Sequence, residues 1–138
     1  MNREILFKAK RKDNGEWVEG NLITNERNEN QKYIGYIFDE RNGIIEDFDL
    51  IEVIPDTLCQ YTGLTDKNGK RIWENDILRR DGYWDIRIEF ENGVFMVRNT
   101  DKVQYINRVV YAPISIFDIK MYEVIGNIFD NPELLEVE

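Results

Sequence analysis

The clearest pattern in the chain is an alternation. Trp84, Ile86, Ile88 and Phe90 interleave with Asp85, Arg87, Glu89 and Glu91. A period of two with one apolar and one polar side predicts a strand with one face buried and one wet. Val94 to Asn99 continues it across Asn92-Gly93 as a hairpin. The same reading places a first hairpin from Glu4 to Ile23, with Ile5, Phe7 and Ala9 on one face, Lys8 and Lys10 on the other, and Trp17, Val18, Leu22 and Ile23 in the return strand. Further strands are predicted at Tyr33 to Phe38, Leu58 to Tyr61, Ile77 to Arg79, Val103 to Ala112 and Glu123 to Ile128. Thr24 to Gln31 is wholly polar and predicts an exposed loop. Ile44 to Ile54 fits neither period.

Turn dipeptides punctuate these stretches. Asn-Gly occurs at Asn14, Asn42, Asn68 and Asn92, and Asp81-Gly82 adds a fifth pair. Such pairs favour positive φ at both central positions of a type I′ turn, whose twist matches paired strands. After Pro113 the pattern changes. Ile114, Phe117 and Met121 predict one face of a short helix. Asn131-Pro132 predicts a capped last turn that docks Leu134 and Leu135. The fold class expected is mainly β: antiparallel hairpins forming a small barrel-like or sandwich-like domain, with one or two short helices near the C-terminus. Residues 1–54 form an N-terminal hairpin region and 55–138 the rest of one compact unit.

Composition narrows the chemistry. The 138 residues include no histidine and one cysteine, Cys59. A Ser-His-Asp triad, a Cys-His dyad, a His-bearing zinc site and an internal disulfide are thereby excluded. Cys59, between Leu58 and Gln60, reads as a buried structural thiol. The 27 acids outweigh 18 bases for a net charge of -9. Residues 1–54 carry 8 bases and 12 acids, 55–112 carry 9 of each, and 113–138 carry 1 base and 6 acids. A field of this sign repels phosphate. Lys8, Lys10, Arg11 and Lys12 read as a solvated strand end. The opening apolar run, Ile5 to Phe7, is too short for a signal peptide, and no stretch approaches a membrane helix. A soluble, cytoplasmic protein is expected.

Candidate sites are sparse. Asp66 to Lys70 opens like a calcium loop but places Lys70 and Arg71 where a ligand and a glycine belong, so a hairpin turn is expected. Glu74 and Asp76, with Asp66 nearby, are a candidate acidic cluster for acid/base or metal work. No phosphate loop, CxxC or HExxH accompanies them. Tyr33, Tyr36, Tyr61, Tyr83 and Trp84 suit core or interface positions better than base stacking. No cofactor is expected.

The run Gln60-Tyr61-Thr62-Gly63-Leu64-Thr65-Asp66-Lys67-Asn68-Gly69-Lys70-Arg71-Ile72-Trp73-Glu74-Asn75-Asp76-Ile77 resembles the hallmark of the YopX family of phage and prophage proteins. The opening from Arg3 to Ala9 with Trp17 and Gly20, and the close from Val124 to Leu135, resemble that family too. Asn75 stands where the family commonly has glycine, a position that tolerates asparagine at positive φ. The resemblance implies a β-rich, self-associating protein of a bacterial cytoplasm and brings no catalytic residues. Within the motif, Thr62, Gly63, Asn68 and Gly69 read as turn residues, and Tyr61, Leu64, Ile72, Trp73 and Ile77 as core. The strand start at Asp76-Ile77 resembles SH3-like barrels, an analogy of fold alone.

Four functions remain open. The leading one is a non-enzymatic phage accessory protein acting as an oligomeric interaction module. The second is an acidic, host-directed inhibitor of a basic host protein. The third is a carboxylate-dependent enzyme centred on Asp66, Glu74 and Asp76. The fourth is a small-barrel nucleic-acid binder with a groove of Arg79, Arg80, Arg87, Arg98 and Arg108. The expected partners are further copies of the chain or a host protein, and not a membrane.

Overall fold

The computed structural model describes residues 3–100 and 110–135, with residues 38–40, 45 and 46 described by their backbone alone. Eleven strands are assigned among the described residues: β1 (Phe7–Lys10), β2 (Trp17–Asn25), β3 (Asn28–Arg41), β4 (Ile44–Val53), β5 (Cys59–Thr65), β6 (Arg71–Trp73), β7 (Asp76–Arg79), β8 (Ile86–Glu91), β9 (Val94–Asn99), β10 (Tyr111–Pro113) and β11 (Glu123–Asn127). The fold is mainly β with antiparallel pairing, as the alternation and turn dipeptides predict. The candidate strand from Val103 lies outside the described residues except at its end, which falls in β10. The chain divides into two compact units, Met1–Tyr61 and Thr62–Glu138.

In the first unit the strand order is β4-β3-β2-β1-β5. Ile34 pairs with Leu22 and with Ile51, so these three side chains share one face. That face forms the core, where Ala9, Ile34 and Val53 are fully buried and Phe7, Val18 and Leu58 pack against them. Ile5, assigned by alternation to the same face, precedes β1 and is 53 % exposed. The polar run from Thr24 is not a loop. It is the tip of the β2–β3 hairpin, with Asn25 opposite Asn28. Asparagine side chains hold the tip: Asn25 accepts the Arg27 N–H at 3.0 Å and Asn28 the Asn30 N–H at 3.1 Å. Polar strands exposed on both sides leave no binary pattern to read.

In the second unit β5 runs on to pair with β6, and a separate sheet has the order β10-β9-β8-β7-β11. Its core gathers Ile72, Leu78, Ile86, Ile88, Val97, Ile119, Tyr122 and Val124. Burying each such aliphatic side chain stabilises by about 1.5–3 kcal/mol. Neither sheet closes into a barrel, so the barrel-like alternative gives way to open sheets with end strands.

The expected helix after Pro113 is two separate 3-10 turns, Ile114–Ile116 and Ile119–Met121. Phe117 and Tyr122 end them in extended conformation, because three β-branched residues in six positions, Ile114, Ile116 and Ile119, cost helix propensity. The last turn, Pro132–Leu135, is also 3-10. Of the five turn pairs, Asn42-Gly43 and Asn92-Gly93 have positive φ at both positions, at 53° and 78° and at 52° and 79°. Gly15, Gly69 and Gly82 have it alone, because the loops they close are longer than two residues. Among the described residues no helix is long and apolar enough to cross a membrane.

Candidate functional site

The family-like run from Gln60 to Ile77 builds a clasp. Asp66 ends the β5 side of the hairpin and is 2 % exposed. Its backbone N–H donates to the Lys70 carbonyl at 2.8 Å, and the Gly69 N–H donates to its carbonyl at 3.1 Å. Its Oδ1 accepts the N–H groups of Asn68 (2.8 Å) and Lys70 (2.9 Å). Its Oδ2 accepts the Val124 N–H at 2.9 Å, and the Lys67 N–H donates to the Tyr122 carbonyl at 2.9 Å. The turn is thereby tied to the start of β11. Burial pushes the Asp66 carboxyl up, but bonds from Val124, Lys70 and Asn68, with the charge of Lys70, outweigh it and hold the group below the usual carboxylate range.

Asp76 closes the second turn of the run. It is 3 % exposed, and its Oδ2 accepts the Trp73 N–H at 2.8 Å. Asn75 between them has φ 73°. Its N–H donates to the Ile88 carbonyl at 2.7 Å and its carbonyl accepts the Ile128 N–H at 3.1 Å. A left-handed residue here turns both backbone groups toward neighbouring strands. Thr62 Oγ1 donates to the Ile72 carbonyl at 2.7 Å and accepts the Leu64 N–H at 3.1 Å, beside Gly63 at φ 85°. Gln60 pairs with Phe7 in the first unit. Tyr61, Ile72, Trp73 and Ile77 are buried, whereas Leu64 is 38 % exposed and is not a core residue.

Asp66 and Asp76, two members of the candidate acidic cluster, each spend carboxylate oxygens on backbone donors of their own turns, and Glu74 is half-buried. Among the described residues no three acidic or thiol side chains gather as a metal ion requires. Cys59 is 1 % exposed with its Sγ 3.3 Å from the Thr57 carbonyl.

The candidate basic groove is also occupied from within. Arg79 makes two bonds to Asp85, at 2.9 and 2.8 Å. Arg87 and Arg98 lie 3.1 and 3.0 Å from one oxygen of Glu89, and Arg98 stacks on Tyr111 at 4.2 Å. Arg80 lies 4.1 Å over the Tyr83 ring. Arg108 falls outside the described residues. In the first unit Lys8 and Lys10 lie over the Trp17 ring at 4.6 and 5.5 Å, Arg11 pairs with Asp13, and Lys12 with Glu52.

The feature that sequence reading missed is the second face of β2, β3 and β4. Ile37 pairs with Phe48, Gly35 with Leu50 and with Asn21, and Tyr33 with Ile23. Directly opposed residues point the same way, so these belong to the side away from the core. Ile23, Ile37, Phe48 and Leu50 are 42, 49, 60 and 47 % exposed. Ile23 of β2 and Leu50 of β4 meet over Gly35 of β3, where an added Cβ would lie 2.8 Å from the Ile23 Cδ1 and 3.6 Å from the Leu50 Cδ1. The apolar surface is therefore continuous across three strands. Its sequence signal was the failure of Ile44 to Ile54 to fit one period, since each face of β4 mixes apolar and acidic residues.

Near the C-terminus, β11 shifts register between Val124 and Gly126. Asn131 folds back there, its Oδ1 accepting the Asn127 N–H at 3.2 Å. A Cβ on Gly126 would lie 2.4 Å from that Oδ1 and 2.6 Å from Cγ. Gly126→Ala is expected to expel the Asn131 side chain and cost about 1–2 kcal/mol. Denaturant titration of the single variants and of Gly126→Ala/Asn131→Ala checks it: the double variant loses clearly less than the two singles summed.

The family described as "YopX protein" matches residues 6–136. No curated protein matches the chain. Among solved structures, the crystal structure of protein EF1440 from Enterococcus faecalis is similar over 98 % of this chain and 100 % of that one, with 24 % identity and a TM-score of 0.57. That likeness shows the fold.

Proposed function

The chain belongs to the YopX family, and from that premise we propose that it is a phage or prophage accessory protein serving as a non-enzymatic, self-associating interaction module in the bacterial cytoplasm. The observation that supports this reading is the continuous apolar surface of Ile23, Ile37, Phe48 and Leu50. Scattered exposed apolar residues are ordinary, but a patch spanning three strands marks a contact surface. A symmetric homo-oligomer buries such a patch against its own copy. The motif residues act as structural clasps, which is consistent with a scaffold.

Light scattering at tens of micromolar tests the proposal. The wild type is expected to be multimeric. Ile37→Lys places a charge in the patch, weakening self-association by about 30-fold or more, equivalent to about 2 kcal/mol of lost apolar burial. A strictly monomeric wild type would overturn the reading.

A further inference from the structure

The outer edge of β4 offers a second surface of a different kind. β4 is the end strand of its sheet, and among the described residues no strand pairs with it on that side. Only its last residues are covered. The Lys12 N–H donates to the Glu52 carbonyl at 3.1 Å, and Arg11 forms an isolated antiparallel bridge with Val53. The Glu52 bond shows which way the backbone points. Groups of Glu52 face outward, so by alternation those of Leu50 and Phe48 do as well. The Phe48 N–H is taken by the Asp47 carboxylate at 2.9 Å. The backbone of Leu50 is left facing a groove of about 390 Å³, lined by Arg11, Lys12, Asp13, Leu50, Ile51 and Glu52. That size falls within the range of ligand sites.

The two faces of β4 differ along this edge. Phe48 and Leu50 lie on the apolar side, and Asp49, opposite Tyr36, on the other. β4 carries Glu46, Asp47, Asp49 and Glu52 and no base. Glu52 is paired with Lys12 at 3.0 Å, whereas Asp49 accepts a hydrogen bond from the Tyr36 hydroxyl at 3.0 Å, a partner that is not a base. Among the described residues no base pairs with Asp47 or Asp49.

We propose that the free edge of β4 takes an extended segment of another protein in which apolar residues alternate with Lys or Arg, adding it as a strand. The backbone of Leu50 supplies ladder bonds. The guest's apolar residues lie beside Phe48 and Leu50, and its bases beside Asp47 and Asp49. A second copy of β4 is a poor guest, because it brings acid against acid and adds no base. The matching segment within this chain, Phe7 to Lys12, is engaged in β1 and its bridge to Val53. The inference rests on the reading of this protein as an interaction module; the docking element is the backbone edge of β4, which borders the self-associating face at Phe48 and Leu50.

A fluorescent nine-residue peptide alternating Lys with Ile and Val is the probe, read by anisotropy and by amide exchange of the full chain. Micromolar binding is expected, with protection appearing at Leu50. A scrambled peptide of the same composition binds at least tenfold more weakly. Asp47→Lys/Asp49→Lys loses the basic peptide at least tenfold and gains the version with Glu in place of Lys. Leu50→Pro removes the outward N–H where the sheet tolerates its loss and abolishes binding, while Leu50→Ala retains part of it. Equal binding of the scrambled peptide, protection elsewhere, or no binding by a variant-free, folded chain would overturn the proposal. Ile37→Lys keeps the edge intact. Peptide binding by that variant in monomeric form separates the failure of self-association from the failure of edge docking.

Discussion

Asp66→Ala is expected to destabilise the second unit by about 3–5 kcal/mol, because three backbone N–H groups around a 2 % exposed carboxylate lose their acceptor together. Asp66→Asn discriminates further. Its remaining oxygen can still serve Asn68 and Lys70 at the Oδ1 position, while its amide faces the Val124 N–H donor to donor. Amide exchange should then show the turn N–H groups still protected and Val124 exchanging freely. Retained protection at Val124 would show that the clasp contributes little.

The same residue sets an acid dependence. Its carboxyl is held below the ordinary range in the folded chain. A depressed folded value means that its contribution is fully present above the unfolded value of about 3.9 and is lost as pH falls through the lower, folded one. The stability difference between wild type and Asp66→Asn should therefore be flat from neutral pH to about 5 and shrink below about 4. Denaturant midpoints at several pH values measure it. A difference that grew on acidification would contradict the assignment.

Gly20→Ala carries the other large effect. A Cβ at Gly20 would lie 2.6 Å from the Gly35 carbonyl oxygen and 2.9 Å from the Ile34 Cγ2. The carbonyl belongs to a paired strand and cannot retreat without disturbing the β2–β3 ladder. The expected cost is about 2–4 kcal/mol, at or beyond the upper end of ordinary overpacking. Gly35→Ala is the contrast. The closest atom there is the Ile23 Cδ1, a flexible tip at 2.8 Å, so about 1 kcal/mol or less is expected. Thermal unfolding of the two variants reads the difference directly, and equal losses would refute the distinction between backbone and side-chain obstruction.

The legibility of the chain followed its binary pattern. β8 and β9 were readable because Ile86 and Ile88 are buried while their neighbours are wetter. The β2–β3 tip was unreadable because its residues are polar on both sides. β4 was unreadable for another reason, since each of its faces mixes apolar and acidic residues. β3 adds to the difficulty through register shifts between Ile37 and Asp39, and between Asp39 and Glu40, which change the parity of facing residues. Of the motif, the turns and most of the core were legible. The roles of Asp66 and Asp76 were not legible, because nothing local in the sequence distinguishes a carboxylate that binds substrate from one that binds backbone. Asp66 reaches Val124 across 58 positions.

The amino-acid sequence by itself determined the β class, the turn sites, the family and the exclusion of histidine and disulfide chemistry, since each depends on residue identity or short-range spacing. Tertiary structure alone decided that Asp66 and Asp76 are clasps, that Arg79, Arg87 and Arg98 are paired with acids, and that β4 has an apolar face and, among the described residues, a largely uncovered edge. Those properties arise from which distant segments lie side by side, and strand pairing over long separations leaves no local mark in the chain.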